Sequence, residues 1–188
     1  CPNLQKLNLN WSESLTSDQI NNLLDSLPRS FTELNLGLCN LKGVDFKKLK
    51  TSCPTLQKLS LDGSEGLTSD QINDLLRSLP ISLIELDLSN SYLEGVDFRD
   101  LKTQCPNLQK LNLNGSRLSQ AQINNLLDSL PISLTELDLK FCNLEDVDFT
   151  DLKTRCPNLQ KLNLTGAKNL TEAQINNLLD SLPISLIE

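Results

Sequence analysis

The side chains best suited to chemistry in this chain are six cysteines and a large set of carboxylates, with no histidine to serve them. Without an imidazole, no Ser–His or Cys–His arrangement can activate a nucleophile. Cys53, Cys105 and Cys156 each stand directly before a proline, at the end of a helical segment. That is not a helix N-terminus, where a thiol pKa would fall. No C-x-x-C pair occurs, so the thiols lack the spacing of a zinc site. The 24 Asp and Glu residues recur at matching places along the chain, whereas acid–base catalysis needs a singular carboxylate pair. No glycine loop is placed to cradle a phosphate. The reading therefore expects no enzyme, no catalytic residue, no metal and no cofactor.

What the sequence does repeat is the scaffold that would hold such groups. Residues 108–118, LQKLNLNGSRL, read L-x-x-L-x-L-x-x-S-x-L. Around Leu111 and Leu113 leucines alternate with polar residues, the period of a strand buried on one face. A lone strand of this kind cannot bury its leucines. Parallel stacking about 4.8 Å apart makes one continuous core. The phrase begins at Leu4, Phe31, Leu56, Leu83, Leu108, Leu134, Leu159 and Leu186. Alternate copies share features, so the unit is a pair, an A repeat followed by a B repeat, with a period of 51 or 52 residues.

In the A repeats the strand leads through a turn to a helix. Thr16-Ser17-Asp18-Gln19 fits a capping box, with Leu15 and Ile20 placed as a hydrophobic staple. Ile20, Leu23, Leu24 and Leu27 share one helical face, and Pro28 ends the helix. The same order recurs before Pro80, Pro131 and Pro183. In the B repeats, Cys39, Ser91 and Cys142 fill a small inward slot after the strand. A shorter helix is expected to follow, capped by Asp45, Asp97 and Asp148 and opened by Phe46, Phe98 and Phe149 as core filler. The members of the Cys53, Cys105 and Cys156 column lie two strands apart, about 10 Å, beyond disulfide reach. Reduced, buried thiols point to the cytosol.

The alternation of SLxxLxLxxCxL with CPNLxxLxL resembles the leucine-rich repeat superfamily, and within it the ribonuclease-inhibitor-like and cysteine-containing groups. The resemblance covers nearly all 188 residues. It implies an α/β fold: a right-handed solenoid, horseshoe or arc, with a parallel sheet on the concave face and helices on the convex face. It also implies protein binding. Members of those groups are inhibitors, immune receptors, substrate receptors of ubiquitin ligases and secreted bacterial effectors. The chain reads as a single repeat domain over 1–188, seven repeats and a partial eighth. It opens mid-pattern at Cys1 and stops at Glu188 within a strand, so capping elements are expected outside it.

Residues facing away from the inward leucines set the concave surface. One column alternates Lys6, Glu33, Lys58, Glu85, Lys110, Glu136, Lys161 and Glu188, which suits a self-neutralising structural ladder. The next is Asn8, Asn35, Ser60, Asp87, Asn112, Asp138 and Asn163. The two positions after it vary most between copies, which suggests that the scaffold does not dictate them. The expected binding rim lies there, with Trp11, Leu38, Tyr92 and Phe141 as anchors and Asp62, Asp87 and Asp138 as polar contacts. The competing reading is that some of these side chains only cover the edge of the core.

The formal net charge of −7 argues against a nucleic-acid backbone as ligand. No apolar run reaches membrane-spanning length. The expected partner is a protein, with no nucleic acid, membrane or small-molecule substrate. The expected compartment is the cytoplasm, or a host's cytoplasm for a secreted effector. Two alternatives stay open: the recognition part of a larger enzyme, and a structural array with no dedicated ligand.

Overall fold

Each copy of the leucine phrase forms a strand of only three residues, because the stacked neighbours rather than strand length supply the hydrogen bonds. The computed structural model describes residues 3–188, so Cys1 lies outside the described residues. The strands are β1 (Lys6–Asn8), β2 (Glu33–Asn35), β3 (Lys58–Ser60), β4 (Glu85–Asp87), β5 (Lys110–Asn112), β6 (Glu136–Asp138) and β7 (Lys161–Asn163). They pair in parallel in strict chain order, β1 to β7, in one open sheet. Leucine faces leucine across every pair: Leu7, Leu34, Leu59, Leu86, Leu111, Leu137 and Leu162. Backbone bonds continue past the strand ends, as in Leu9 N to Asn35 O and Trp11 N to Gly37 O, both 2.9 Å. The result is a solenoid with its sheet on the concave side and its helices on the convex side.

The A-type helices are α1 (Ser17–Ser26), α3 (Ser69–Arg77), α5 (Gln120–Asp128) and α7 (Glu172–Ser181). All four carry the expected capping box, on Thr16, Thr68, Ser119 and Thr171. The capping glutamine does a second job that its spacing alone does not reveal. Gln71, Gln122 and Gln174 each donate from Nε2 to two carbonyls of the preceding repeat, at 2.7–3.2 Å. One side chain thus closes a helix end and ties adjacent repeats together.

The B-type helices are shorter than expected: α2 (Leu49–Ser52), α4 (Leu101–Gln104) and α6 (Leu152–Arg155). The expectation that Asp45, Asp97 and Asp148 cap them is wrong. Each accepts from the amide two residues on, at 2.9–3.0 Å, which makes a tight Asx turn. The helix starts three residues later, on Lys48, Asp100 and Asp151, with no side-chain cap. Local side-chain bonding to its own turn won over helix capping. Each of these aspartates also donates its own N–H to an asparagine of the preceding A-type helix, Asn21, Asn73 or Asn124.

The phenylalanines sit in that turn, not in the helix. Phe46, Phe98 and Phe149 are fully buried, as core filler should be. The small slot also behaves as expected. Cys39 Sγ lies 3.2 Å from Leu9 O and Cys142 Sγ 3.3 Å from Leu113 O, so each thiol meets a carbonyl of the preceding turn. Ser91 Oγ donates instead to Ser89 O at 3.2 Å. Cys53, Cys105 and Cys156 are buried at the ends of the short helices. Burial pushes their thiols up, to about 11 for Cys53 and about 12 for the other two. A thiol held protonated this way is inert as a nucleophile.

Candidate functional site

The lysine–glutamate column is in register, as expected, with Lys6 beside Glu33, Glu33 beside Lys58, and so on to Lys161. The ion pairing within it is one-sided. Each lysine reaches the glutamate of the following repeat: Lys6–Glu33 at 2.8 Å, Lys58–Glu85 at 2.9 Å, Lys110–Glu136 at 3.0 Å and Lys161–Glu188 at 3.2 Å. In the opposite direction only Lys110–Glu85 comes within 4.0 Å among the described residues. The bond to Glu85 holds the Lys58 ammonium above its ordinary pKa, and the bond to Glu188 does the same for Lys161. These pairs are exposed and screened by solvent, so they add little to stability.

The second column has a structural duty. Asn8, Asn35, Asp87, Asn112, Asp138 and Asn163 each accept the amide two residues ahead, at 2.8–3.0 Å. This bends the chain out of the strand. One oxygen of each of these residues is thus committed to its own turn. Asp87 and Asp138, both candidate contacts, therefore offer a partner only what remains.

The rim brings the largest correction. The second variable position is not free of the scaffold. Its backbone is left-handed in every described copy: Trp11, Leu38, Gly63, Asn90, Gly115, Phe141 and Gly166 have φ between 54° and 67°. Glycine and asparagine tolerate that region; bulky side chains do not. Trp11, Leu38 and Phe141 occupy it at a cost of about 1–3 kcal/mol each. The glycines make room for their neighbours. A Cβ on Gly63 would lie 2.8 Å from Leu38 Cδ2, and one on Gly166 would lie 2.4 Å from the Phe141 ring.

The comparisons bear on this geometry. A family model described as "Leucine Rich repeat" matches residues 131–148, which run from Pro131 through β6 into the following turn. The leucine-rich repeat-containing protein 14 of Mus musculus is 31% identical over 127 residues, covering 63% of this chain and 26% of that protein. The chain is built of leucine-rich repeats. The lysine-specific demethylase 2B of Mus musculus is 28% identical over 198 residues, covering 96% of this chain and only 15% of that protein. The leucine-rich repeat chain thus spans a small part of the length of the curated relatives it matches. Among solved structures, internalin C2 of Listeria monocytogenes superposes with a TM-score of 0.55 at 18% identity, over 98% of this chain and 79% of that one, a likeness of fold.

The expected site residues do not form one patch. Trp11 and Leu38 sit on adjacent repeats. Trp11 is 69% exposed and donates its indole N–H to Glu13 at 2.8 Å. Leu38 is half-buried against Gly63, so it covers the core edge in part. Tyr92 is exposed on a later turn, where its strand segment bridges Arg117 in parallel. Its hydroxyl donates to the Glu94 carboxylate, which raises its pKa, and the Arg117 guanidinium lies 5.8 Å from its ring. Phe141 is 54% exposed, with Lys140 Nζ 4.8 Å from its ring. Four strand spacings, about 19 Å, separate it from Leu38.

Asp62 and Asp87 do come together, through a residue the sequence reading missed. Ser89 is almost fully buried, and its Oγ lies 2.8 Å from Asp62 Oδ1 and 2.5 Å from Asp87 Oδ1. Asn90 Nδ2 adds a bond of 2.8 Å to the same Asp62 oxygen. Asp138 stands apart and accepts from Asn163 Nδ2 at 2.9 Å. The signal for the left-handed rim was nevertheless visible in the chain. Glycine or asparagine in four of seven aligned copies is the mark of a positive φ.

Proposed function

We propose that this chain is a protein-recognition module that binds through its concave face and the strand-to-helix rim. Trp11, Leu38, Tyr92 and Phe141 act as anchors, and Asp62, Asp87 and Asp138 as polar contacts. The observation that carries this reading is the rim backbone. Three large apolar residues stand in left-handed conformations where sister repeats use Gly or Asn, and two of them are more than half exposed. The scaffold gains nothing from a bulky exposed side chain there, and strained positions gather at functional sites. Buried, protonated thiols support a reducing compartment, the cytoplasm or, for a secreted effector, the cytoplasm of a host. Among the described residues no helix is long and apolar enough to cross a membrane.

The test compares intact protein with a Trp11→Gly, Leu38→Gly, Phe141→Gly variant in quantitative pull-down, after circular dichroism shows both folded. Folding is expected to hold, because Gly63, Gly115 and Gly166 already occupy the same place. Loss of one such anchor costs about 2 kcal/mol or more in a dedicated interface. A partner held equally by both proteins sinks the rim reading. Capture of nothing by either favours the structural array.

One observation favours a second reading. A relative matched along nearly the whole chain is a far larger protein with an enzyme's name, of which this chain covers 15%. On that reading the array is the substrate-recognition segment of an enzyme whose chemistry is done elsewhere. A catalytic or adaptor domain in the same reading frame decides between the two.

A further inference from the structure

The concave face sorts its charges into spent and unspent ones. Lys6, Lys58, Lys110 and Lys161 are each taken up by a glutamate at 2.8–3.2 Å. Asp62, Asp87 and Asp138 enter no ion pair among the described residues. Their charge is also not required by the fold. Asn8, Asn35, Asn112 and Asn163 hold the same turn as Asp87 and Asp138, at the same distances. An amide therefore serves the scaffold as well as a carboxylate does. At β4 the negative charge is underserved, since Ser89 has one hydroxyl proton and its oxygen sits between Asp62 and Asp87. The Oδ2 atoms of both carboxylates accept no hydrogen bond among the described residues.

Asp87 and Asp138 line a concave groove of about 920 Å³ that runs across all seven strands, and Asp62 joins Asp87 through Ser89. Asp87 on β4 and Asp138 on β6 are two strands apart, about 10 Å. Three residues of a polyproline II segment, one full turn at about 3.1 Å per residue, span about the same distance and bring the side chain back to the same face. An acidic partner would have to break the Lys–Glu pairs to find a cation, whereas a basic one finds carboxylates that no cation holds among the described residues.

Building on the reading of the concave face as a binding surface, we propose that it takes a polyproline II segment of a protein partner laid across the strands, with Lys or Arg at positions i and i+3. One cation seats on Asp62 and Asp87, the other on Asp138. The anchors of the rim set affinity at the groove's edge, and the carboxylates set the sequence preference and the register.

The test is selection from a random twelve-residue peptide library displayed on phage, with the intact chain as bait. The expected result is enrichment of peptides with two cationic residues three apart. Their affinity, measured by fluorescence anisotropy, falls at least tenfold in the Asp62→Asn, Asp87→Asn, Asp138→Asn variant and weakens with salt. The asparagines in sister repeats mean that this variant folds, which circular dichroism checks. Enriched peptides without the cationic pair, or peptides that bind the triple variant unchanged, overturn the inference. If such peptides are lost on replacing Trp11 and Phe141 with Gly, the rim reading survives while this one fails. Peptides insensitive to both variants, or no enrichment, overturn both.

Discussion

The junction between the third and fourth repeats and the junction between the fifth and sixth use the same backbone for opposite ends. At the first, Asp62, Asp87, Ser89 and Asn90 form a closed network, and the left-handed position holds Asn90, a residue at ease there. At the second, the corresponding residues are Asn114, Asp138, Lys140 and Phe141. Asn114 Oδ1 is buried with no hydrogen-bond partner among the described residues, and Phe141 holds a left-handed backbone with φ of 60°. A buried acceptor left unpaired costs about 1–3 kcal/mol, and the strained phenylalanine about as much again. The first junction turns its side chains on one another. The second gives stability away to place an aromatic ring and a lysine on the surface, and that difference supports a binding role at the rim.

If the two junctions truly share a scaffold, mutations beneath them cost the same. Phe98→Ala and Phe149→Ala, under the helical side of each pair, should both lose about 3–5 kcal/mol in urea unfolding. Unequal losses would mean that the comparison is not between like frames.

The next effect separates them. Gly115 and Gly166 have the same φ of 67°, so alanine at either is strained. At Gly115 the added Cβ meets the Asn90 amide oxygen at 2.7 Å, which rotates away. At Gly166 it meets the Phe141 ring at 2.4 Å, which has less room to yield. We expect about 1–2 kcal/mol for Gly115→Ala and about 3 kcal/mol for Gly166→Ala. Combining Gly166→Ala with Phe141→Asn should bring its cost down to the Gly115 level, a coupling that a double-mutant cycle measures.

Smaller still is the direct exchange. Phe141→Asn should stabilise the chain by about 1 kcal/mol and raise the melting temperature by about 2–4 °C. Asn90→Phe should do the reverse. A destabilising Phe141→Asn in calorimetry would show that the ring's packing on Gly166 outweighs its backbone strain.

The smallest difference lies in the slot beneath the rim, where Ser91 and Cys142 correspond. Burial pushes the Cys142 thiol up to about 11. The folded form thus keeps a proton that the unfolded chain loses above about pH 8.5. Its contribution is fully present below that pH and is lost as pH rises through the folded value. Between pH 7 and 10.5 the melting temperature of Cys142→Ser should fall less steeply than that of the wild type. Ser91→Ala should leave the slope unchanged.

Much of this was legible in the chain. The alternating leucines around Leu111, the capping boxes on Thr16 and its counterparts, and the lysine–glutamate alternation are local or periodic patterns, and the structure reproduces them. The short helices were misread because Asp45, Asp97 and Asp148 had two local options, a helix cap and an Asx turn, and sequence spacing does not separate them. The rim was misread for another reason. Its variability looked like freedom, whereas the glycines and asparagine there answer to a fixed positive φ.

The sequence by itself determined the parallel array, its two-repeat period, the inward leucines and the absence of a histidine-based catalytic centre. These follow from residue type and period alone. Only the tertiary structure decided which rim positions are strained, which carboxylates remain unpaired, and that Ser89 joins Asp62 to Asp87. Those facts depend on how one repeat lies on the next: pairing in register sets the backbone angle where each strand ends, and it brings together side chains 25 or more residues apart.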